Sequence, residues 1–267
     1  MDDEQISDTW ERGDPYEQYV GRWSRRVAPL FLSWLDIPAG RSWLDVGCGT
    51  GALCAAILER CSPSSVVGVE PSDGYIETAK ANLAERAAFL RGRATSIPLD
   101  DASIDVVVSG LVLNFVPEPP AALIEMMRVV RGGGTIAAYV WDYAEKMEFM
   151  RIFWDKAIAL DPAAARLDEG VRFPLCRPEG MERLFTGAGL NDVNVRSIDV
   201  PTWFANFDDY WRPFLGGQGP APSYLMSLDD TARDRLRDRI RDRLPTSADA
   251  SISLIARAWA AHGTVIR

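Results

Sequence analysis

The chain has 267 residues, enough for one large domain or two small ones at about 150 residues per domain. Its 38 acidic and 29 basic side chains give a formal net charge of -9, which argues against a nucleic-acid partner because such binding requires neutralised phosphates. The single histidine, His262, almost excludes mechanisms that pair histidine with a serine or cysteine nucleophile, and metal sites built from several histidines.

The four cysteines, at positions 48, 54, 61 and 176, form no C-x-x-C pair and no evident disulfide framework. The acidic, polar opening segment is the reverse of a secretory signal, and no apolar run reaches the ~20 residues that span a bilayer. We therefore expect a reduced, cytoplasmic protein with no metal and no membrane partner. Its oligomeric state stays open.

The first predicted element is an amphipathic helix that starts near Pro15 and ends before a turn at 37–40, because apolar residues recur at spacings of three and four. Strands and helices then alternate. The predicted strands cover 42–46, 65–69, 88–90, 104–109 and 134–141, and the predicted helices cover 52–60, 73–86 and 119–131. This alternation is typical of an α/β protein with a parallel sheet and helices on both faces.

The pattern is looser after residue 141. Helices are predicted over 145–159, 178–188 and 228–244, a strand is predicted over 192–200, and the period of 252–260 fits either a strand or a helix. We therefore divide the chain into four parts. They are an N-terminal helical cap (1–40), a core (41–200), a helical and aromatic insertion with a predicted role as a lid (201–250), and a C-terminal segment that is a candidate last strand (251–267).

A glycine-rich loop follows the first predicted strand. Gly47, Gly49 and Gly51 allow a sharp turn and close approach of a ligand to the backbone. Such a loop lies at the carboxyl ends of the strands, where ligands of open α/β sheets bind. Glu70 ends the second predicted strand, where a carboxylate can accept both hydroxyls of a ribose. Taken alone, this arrangement suits NAD and S-adenosylmethionine equally.

The sequence LDVGCGTG at 44–51 resembles the first motif of the class I S-adenosylmethionine-dependent methyltransferases. Segments 68–72, 97–116, 127–134 and 185–195 resemble later motifs of that family in order and spacing, and 16–24 resembles the N-terminal helix of a bacterial subgroup with mostly unassigned substrates. The resemblance implies a Rossmann-like, mixed seven-stranded sheet with helices on both faces. An N-terminal helix and a helical, aromatic insertion near the C-terminus would complete the fold.

The resemblance also implies a set of residues that bind the cofactor, S-adenosyl-L-methionine. They are Tyr19, Arg22, Asp45, Gly47, Gly49, Gly51, Glu70, Pro71, Ser72, Ala94, Thr95, Ser109, Gly110 and Leu111. In this set Asp45 would meet the amino group of the cofactor and Glu70 would hold the ribose. Arg93 departs from the family, because many members have an aspartate there that accepts from the adenine amino group, and a guanidinium has no acceptor.

Other candidates concern the methyl acceptor. Trp141 at the end of the fifth predicted strand and Tyr210 and Trp211 in the aromatic segment are predicted to contact the substrate. Asp142 and Tyr143 are candidates for orienting the substrate or taking its proton, although the cofactor carries its own electrophile and needs no dedicated catalytic residue.

The predicted function is methyl transfer from S-adenosylmethionine to a small molecule by direct in-line displacement. No Asn-Pro-Pro-Tyr type motif follows the fourth predicted strand, which disfavours adenine and glutamine amides as substrates. Two alternatives stay open. An NAD-dependent oxidoreductase would share the loop and Glu70, and a non-catalytic S-adenosylmethionine-binding protein would accommodate the unusual Arg93.

Overall fold

The structure is a computed structural model that describes residues 21–216 and 219–266. Two predicted cofactor contacts, Tyr19 and the side chain of Arg22, lie outside the described residues. The described chain divides into two compact units. The core unit contains Ser24–Asp142, Pro174–Asp199 and the described residues from Arg257 onward; the aromatic unit contains the described residues up to Trp23, Tyr143–Phe173 and Val200–Ala256.

Seven strands of the described chain form one sheet, in the order β3-β2-β1-β4-β5-β7-β6. They are β1 (Ser42–Val46), β2 (Ser65–Glu70), β3 (Ala88–Arg91), β4 (Ile104–Gly110), β5 (Val130–Trp141), β6 (Asn191–Phe204) and β7 (Ile252–Thr264). Strands β1 to β5 pair in parallel and β7 runs antiparallel to β5. The predicted mixed seven-stranded α/β fold is therefore confirmed.

Ten α-helices of the described chain accompany the sheet. They are α1 (Arg22–Leu35), α2 (Ala52–Arg60), α3 (Asp73–Leu83), α4 (Pro119–Val129), α5 (Glu148–Leu160), α6 (Glu169–Arg172), α7 (Pro178–Gly187), α8 (Phe207–Trp211), α9 (Pro220–Ser227) and α10 (Asp230–Arg243). None of these helices has the length and apolar character needed to cross a membrane.

Burial explains why the central strands form where the sequence predicts them. All five positions of β1 are buried, and β4 is buried at Val106, Val107 and Val108. Such continuous apolar runs are typical of parallel strands covered by helices on both faces. These two strands carry the loops that contain Gly47 and Leu111.

Two strands differ from their predicted limits. β5 begins at Val130, within the predicted helix 119–131, because Val130 takes extended backbone and pairs with Ile104 of β4. The ambiguous C-terminal segment is a strand, β7, in which buried Ile252, Leu254 and Ala256 alternate with exposed neighbours. Burial that alternates with a period of two residues is typical of a strand and not of a helix.

Aromatic rings fill the interior of the aromatic unit. The Phe149 ring lies 5.5 Å from that of Phe204 and 4.5 Å from that of Phe214, and the Phe153 ring stacks on Phe214 at 4.6 Å. Residues 143–173 belong to this unit although the predicted boundary lies at 200/201, because α5 supplies half of these rings. The predicted domain limits and the lid stay predictions.

Candidate cofactor-binding site

The loop between β1 and α2 has a backbone that glycine alone adopts readily. Gly47 and Gly49 have φ values of +76° and +52°. A Cβ added at Gly47 would lie 2.6 Å from the Val112 side chain, whereas a Cβ at Gly49 would meet nothing within 4 Å. Packing therefore requires glycine at position 47, whereas Gly49 leaves an open face of backbone that a ligand can approach.

Hydrogen bonds fix this loop against the end of β2. The N–H groups of Gly47 and Cys48 both donate to the Val69 carbonyl, at 2.8 and 3.2 Å, and Gly51 N–H donates to the Cys48 carbonyl at 2.9 Å. Gly51 then caps the N-terminus of α2. The open face at Gly49 thus belongs to a fixed loop.

Glu70, the last residue of β2, joins the glycine loop to the next helix. Its Oε2 accepts the N–H of Gly49 and its Oε1 accepts the N–H of Ser72, each at 3.1 Å. The residue is 7% exposed. Burial raises the pKa of the Glu70 carboxyl, and the bonds from the Ser72 and Gly49 amides oppose that rise. A carboxylate offers about four acceptor sites, so two remain for ribose hydroxyls.

Asp45 lies one residue before the end of β1 and is only 1% exposed. Its Oδ2 accepts the S–H of Cys54 on α2 at 3.3 Å. Burial raises the pKa of the Asp45 carboxyl to about 7; the Cys54 bond lowers it and the negative charge of Glu70 raises it further. Two buried carboxyls on neighbouring strands suit a cationic ligand.

The end of β4 lies beside the glycine loop. Ser109 is buried and its hydroxyl donates to the Val46 carbonyl at 2.8 Å, which ties β4 to the end of β1. Leu111 N–H donates to the Tyr139 carbonyl at 2.7 Å, and a Cβ at Gly110 would lie 2.6 Å from the Tyr139 hydroxyl. The Ser109 hydroxyl is already bonded, so this segment offers a ligand its backbone and its shape.

The predicted adenine side is more exposed. Gly92 N–H donates to the Glu70 carbonyl at 3.2 Å, so the turn after β3 starts beside the end of β2. In that turn Ala94 is half-buried and Thr95 is exposed, as is Pro71 after β2. Arg93 is exposed as well. The roles of these residues in binding adenine stay predictions.

The predicted substrate residues are divided between the two units. Trp141 is the last residue of β5 and Asp142 follows it; both are buried in the core unit, and Asp142 N–H donates to the Arg257 carbonyl at 2.9 Å. Tyr143, Tyr210 and Trp211 belong to the aromatic unit, where all three are buried. Their substrate contacts stay predictions.

Sequence reasoning missed two residues of the site. Val112 packs where a side chain at Gly47 would lie, and Cys54 is the thiol donor to Asp45. Neither contact has a signal in residue spacing, because both depend on the path of the glycine loop. Within the described residues, no group of three or more His, Cys, Asp or Glu side chains is placed to hold a metal ion.

Comparison with known proteins identifies this architecture. Residues 44–138 match the family model described as a methyltransferase domain. Demethylmenaquinone methyltransferase of Staphylococcus aureus strain JH9 is 29% identical over 189 residues, which cover 66% of this chain and 77% of that protein. Residues 44–138 of the chain therefore form a methyltransferase domain.

Solved structures show the same fold. The YcgJ protein from Bacillus subtilis superposes with a TM-score of 0.60 at 17% identity, covering 91% of this chain and 99% of that one. Phosphoethanolamine N-methyltransferase 2 of Haemonchus contortus, in complex with phosphomonomethylethanolamine and S-adenosylhomocysteine, gives a TM-score of 0.57 at 15% identity and covers 95% of this chain and 57% of that one. The methyltransferase-domain match favours methyl transfer over both alternatives that the sequence left open.

Proposed function

We propose that this methyltransferase holds S-adenosylmethionine between the glycine loop and Glu70 and methylates a small molecule by direct in-line displacement. The observation that carries the proposal is the bonding of Glu70. One buried carboxylate accepts amides from both Gly49 and Ser72 and retains two acceptor sites beside the open backbone of Gly49.

The residues present fit this cofactor. Its ribose hydroxyls match the free acceptor sites of Glu70, and its positive charge matches the buried Asp45 and Glu70 carboxyls. When bound, the cofactor supplies an electrophilic methyl group on a positively charged sulfur. The chain then has to hold the acceptor atom in line with that methyl group and exclude water, which contributes much of the rate enhancement in reactions of this type.

Two observations support a small-molecule acceptor. The net charge of -9 disfavours nucleic acid, and the Staphylococcus aureus relative is named for a small molecule, demethylmenaquinone. Trp141, Tyr210 and Trp211 stay predicted substrate contacts, and Asp142 and Tyr143 stay candidates for proton transfer. The cytoplasmic location and the lack of a membrane partner also stay predictions.

The proposal is tested by calorimetry followed by a transfer assay. We expect S-adenosylmethionine to bind and NADH not to bind, and we expect labelled methyl groups from the cofactor to enter the small-metabolite fraction of a host extract. Tight binding of NADH alone would overturn the cofactor site. Label confined to protein or nucleic acid would overturn the small-molecule acceptor.

A further inference from the structure

Two buried carboxyls lie close together in the glycine-loop site. Asp45 of β1 pairs with Gly68 of β2, and Glu70 follows two residues later on the same strand. The two residues are 1% and 7% exposed. Two unpaired negative charges in such a place are costly, because desolvation and mutual repulsion both favour the neutral form of one of them.

Burial and hydrogen bonding favour Asp45 as the neutral carboxyl of the two. Glu70 accepts two backbone N–H groups, from Gly49 and Ser72, and such bonds stabilise a carboxylate. Asp45 is more deeply buried, and both of its bonds come from Cys54: one from the backbone and one from the S–H, which is a weak donor. The proton of the pair therefore belongs on Asp45.

No basic group of the described residues compensates Asp45. The neighbouring strand β2 presents Glu70, α2 presents Cys54, and the loop presents Cys48. On α3, Tyr75 interacts with Glu70 and is neutral below its raised pKa.

The other charged groups of these elements lie away from Asp45. On β4, Asp105 is paired with Arg131 beside Ser42, at the opposite end of β1. On α2, the charged residues Glu59 and Arg60 are exposed at its C-terminal end.

We infer that Asp45 is protonated in the cofactor-free enzyme and gives up its proton when the cationic cofactor binds, with Cys54 as the positioning residue that sets the pH of this exchange. The inference rests on the cofactor site proposed above. It makes cofactor affinity depend on pH near neutrality through one carboxyl, without any histidine.

The size of the effect follows from the Asp45 pKa of about 7. Between about pH 6 and pH 7.5 the ionised fraction of such a group rises from about 0.1 to about 0.75, so affinity for the cofactor rises about eightfold. This window lies below the titration of an α-amino group such as that of the ligand, at about 8.

The test is calorimetric titration of the full chain with S-adenosylmethionine, in pairs of buffers that differ in ionisation enthalpy. The buffer dependence of the measured heat counts the protons released. For the wild type we expect close to one proton released at about pH 6 and progressively fewer as the pH rises. Asp45→Asn should release none and bind with an affinity independent of pH in this window.

Two Cys54 variants test the positioning role. In Cys54→Ser a stronger donor stabilises the Asp45 carboxylate, so the midpoint of proton release should shift to lower pH. In Cys54→Ala the donor is lost and the midpoint should shift to higher pH. His262→Gln is a control for the imidazole, which titrates at mildly acidic pH because burial lowers the His262 pKa; this variant should leave the proton count unchanged.

The outcomes separate the inference from the function on which it rests. Absence of S-adenosylmethionine binding by the folded wild type would contradict the proposed function itself. Binding without proton release, or proton release that persists in Asp45→Asn, would overturn the inference alone. An identical midpoint in the wild type and both Cys54 variants would overturn the role of Cys54.

Discussion

The core unit and the aromatic unit both bury ionisable side chains, but the two units differ in the hydrogen bonds that these side chains receive. In the aromatic unit Glu169 accepts the indole N–H of Trp154, and Asp168 receives two bonds from the Arg151 guanidinium, at 3.1 and 2.7 Å. In the core unit Asp45 is bonded by Cys54 alone, through its backbone and through its weakly donating thiol at 3.3 Å. Buried polar groups are normally satisfied internally, so an incompletely bonded carboxyl indicates a place for a ligand.

Tyr210 illustrates the same contrast. Its hydroxyl donates to the Phe149 carbonyl at 2.8 Å, and its ring lies 5.3 Å from that of Phe204. By contrast, the backbone of Gly49 in the core unit faces open space. The Tyr210 hydroxyl therefore stabilises the packing of its own unit, whereas the glycine loop leaves room for a ligand beside Gly49.

The largest expected effect concerns Glu169. Burial raises the pKa of its carboxyl from 4.5 to about 8, so the folded state retains a proton that the unfolded state loses. The contribution of this retained proton to the free energy of unfolding is fully present below pH 4.5 and is lost as the pH rises to about 8. We expect the unfolding free energy of the wild type, relative to Glu169→Gln, to fall by roughly 4 kcal/mol between about pH 5 and pH 8.

Urea unfolding at several pH values measures this difference. The glutamine amide still accepts from Trp154 but does not titrate, so other ionisable groups cancel in the comparison. A difference between the two proteins that stays constant with pH would show that Glu169 is ionised in the folded state. The aromatic unit would then bury a carboxylate, as the core unit does at Glu70.

Arg151 tests whether the aromatic unit depends on its internal bonds. Arg151→Met would leave Asp168 buried without its cation, and we expect a loss of about 3 kcal/mol in the free energy of unfolding. Arg237→Met on α10 is the matched control, because Arg237 pairs with the more exposed Asp234 and Asp238. That change should cost less than about 1 kcal/mol. If chemical denaturation shows the same loss of unfolding free energy for both variants, the buried Arg151–Asp168 pair contributes no more than the exposed pair.

The glycine-loop site of the core unit and the buried pair of the aromatic unit also differ in how well the sequence predicts them. The β1 strand, the glycine loop and Glu70 are predictable because a short apolar run, closely spaced glycines and a strand end are all local signals. Arg151 and Asp168 are not, since they lie 17 residues apart and meet only after α5 and α6 pack. The thiol of Cys54 was missed for the same reason, as it reaches Asp45 only once the loop has turned.

Two strands of the sheet were hard to predict, β5 because of its glycines and β7 because its residue pattern fits either a strand or a helix. The start of β5 was hidden by Gly132, Gly133 and Gly134, which look like a turn, although the strand continues through them. β7 was ambiguous because its small residues, such as Ala256, Ala258 and Ala260, favour a helix by intrinsic propensity. Pairing with β5 decides the outcome, and a single strand carries no signal of its partner.

Glu70→Ala tests the core side of the comparison. The change removes the acceptor for the ribose and the bonds to Gly49 and Ser72, and charge-assisted bonds of this kind are strong. We expect the Kd for S-adenosylmethionine, measured by calorimetry, to rise at least about tenfold. Thermal unfolding of the same variant is the control for misfolding. An unchanged Kd in a folded variant would remove Glu70 from the site.

The smallest change is a single methyl group at Gly49. Gly49→Ala and Gly40→Ala are matched, because both positions have positive φ, +52° and +81°, and neither new Cβ meets an atom within 4 Å. Each should therefore lose about 1 kcal/mol of stability through backbone strain. Only Gly49→Ala should also weaken cofactor binding, by several-fold, because its methyl group occupies the open face of the loop. Equal cofactor affinity of the two variants would mean that the open backbone at Gly49 is not a ligand surface, and the contrast with the closed aromatic unit would fail.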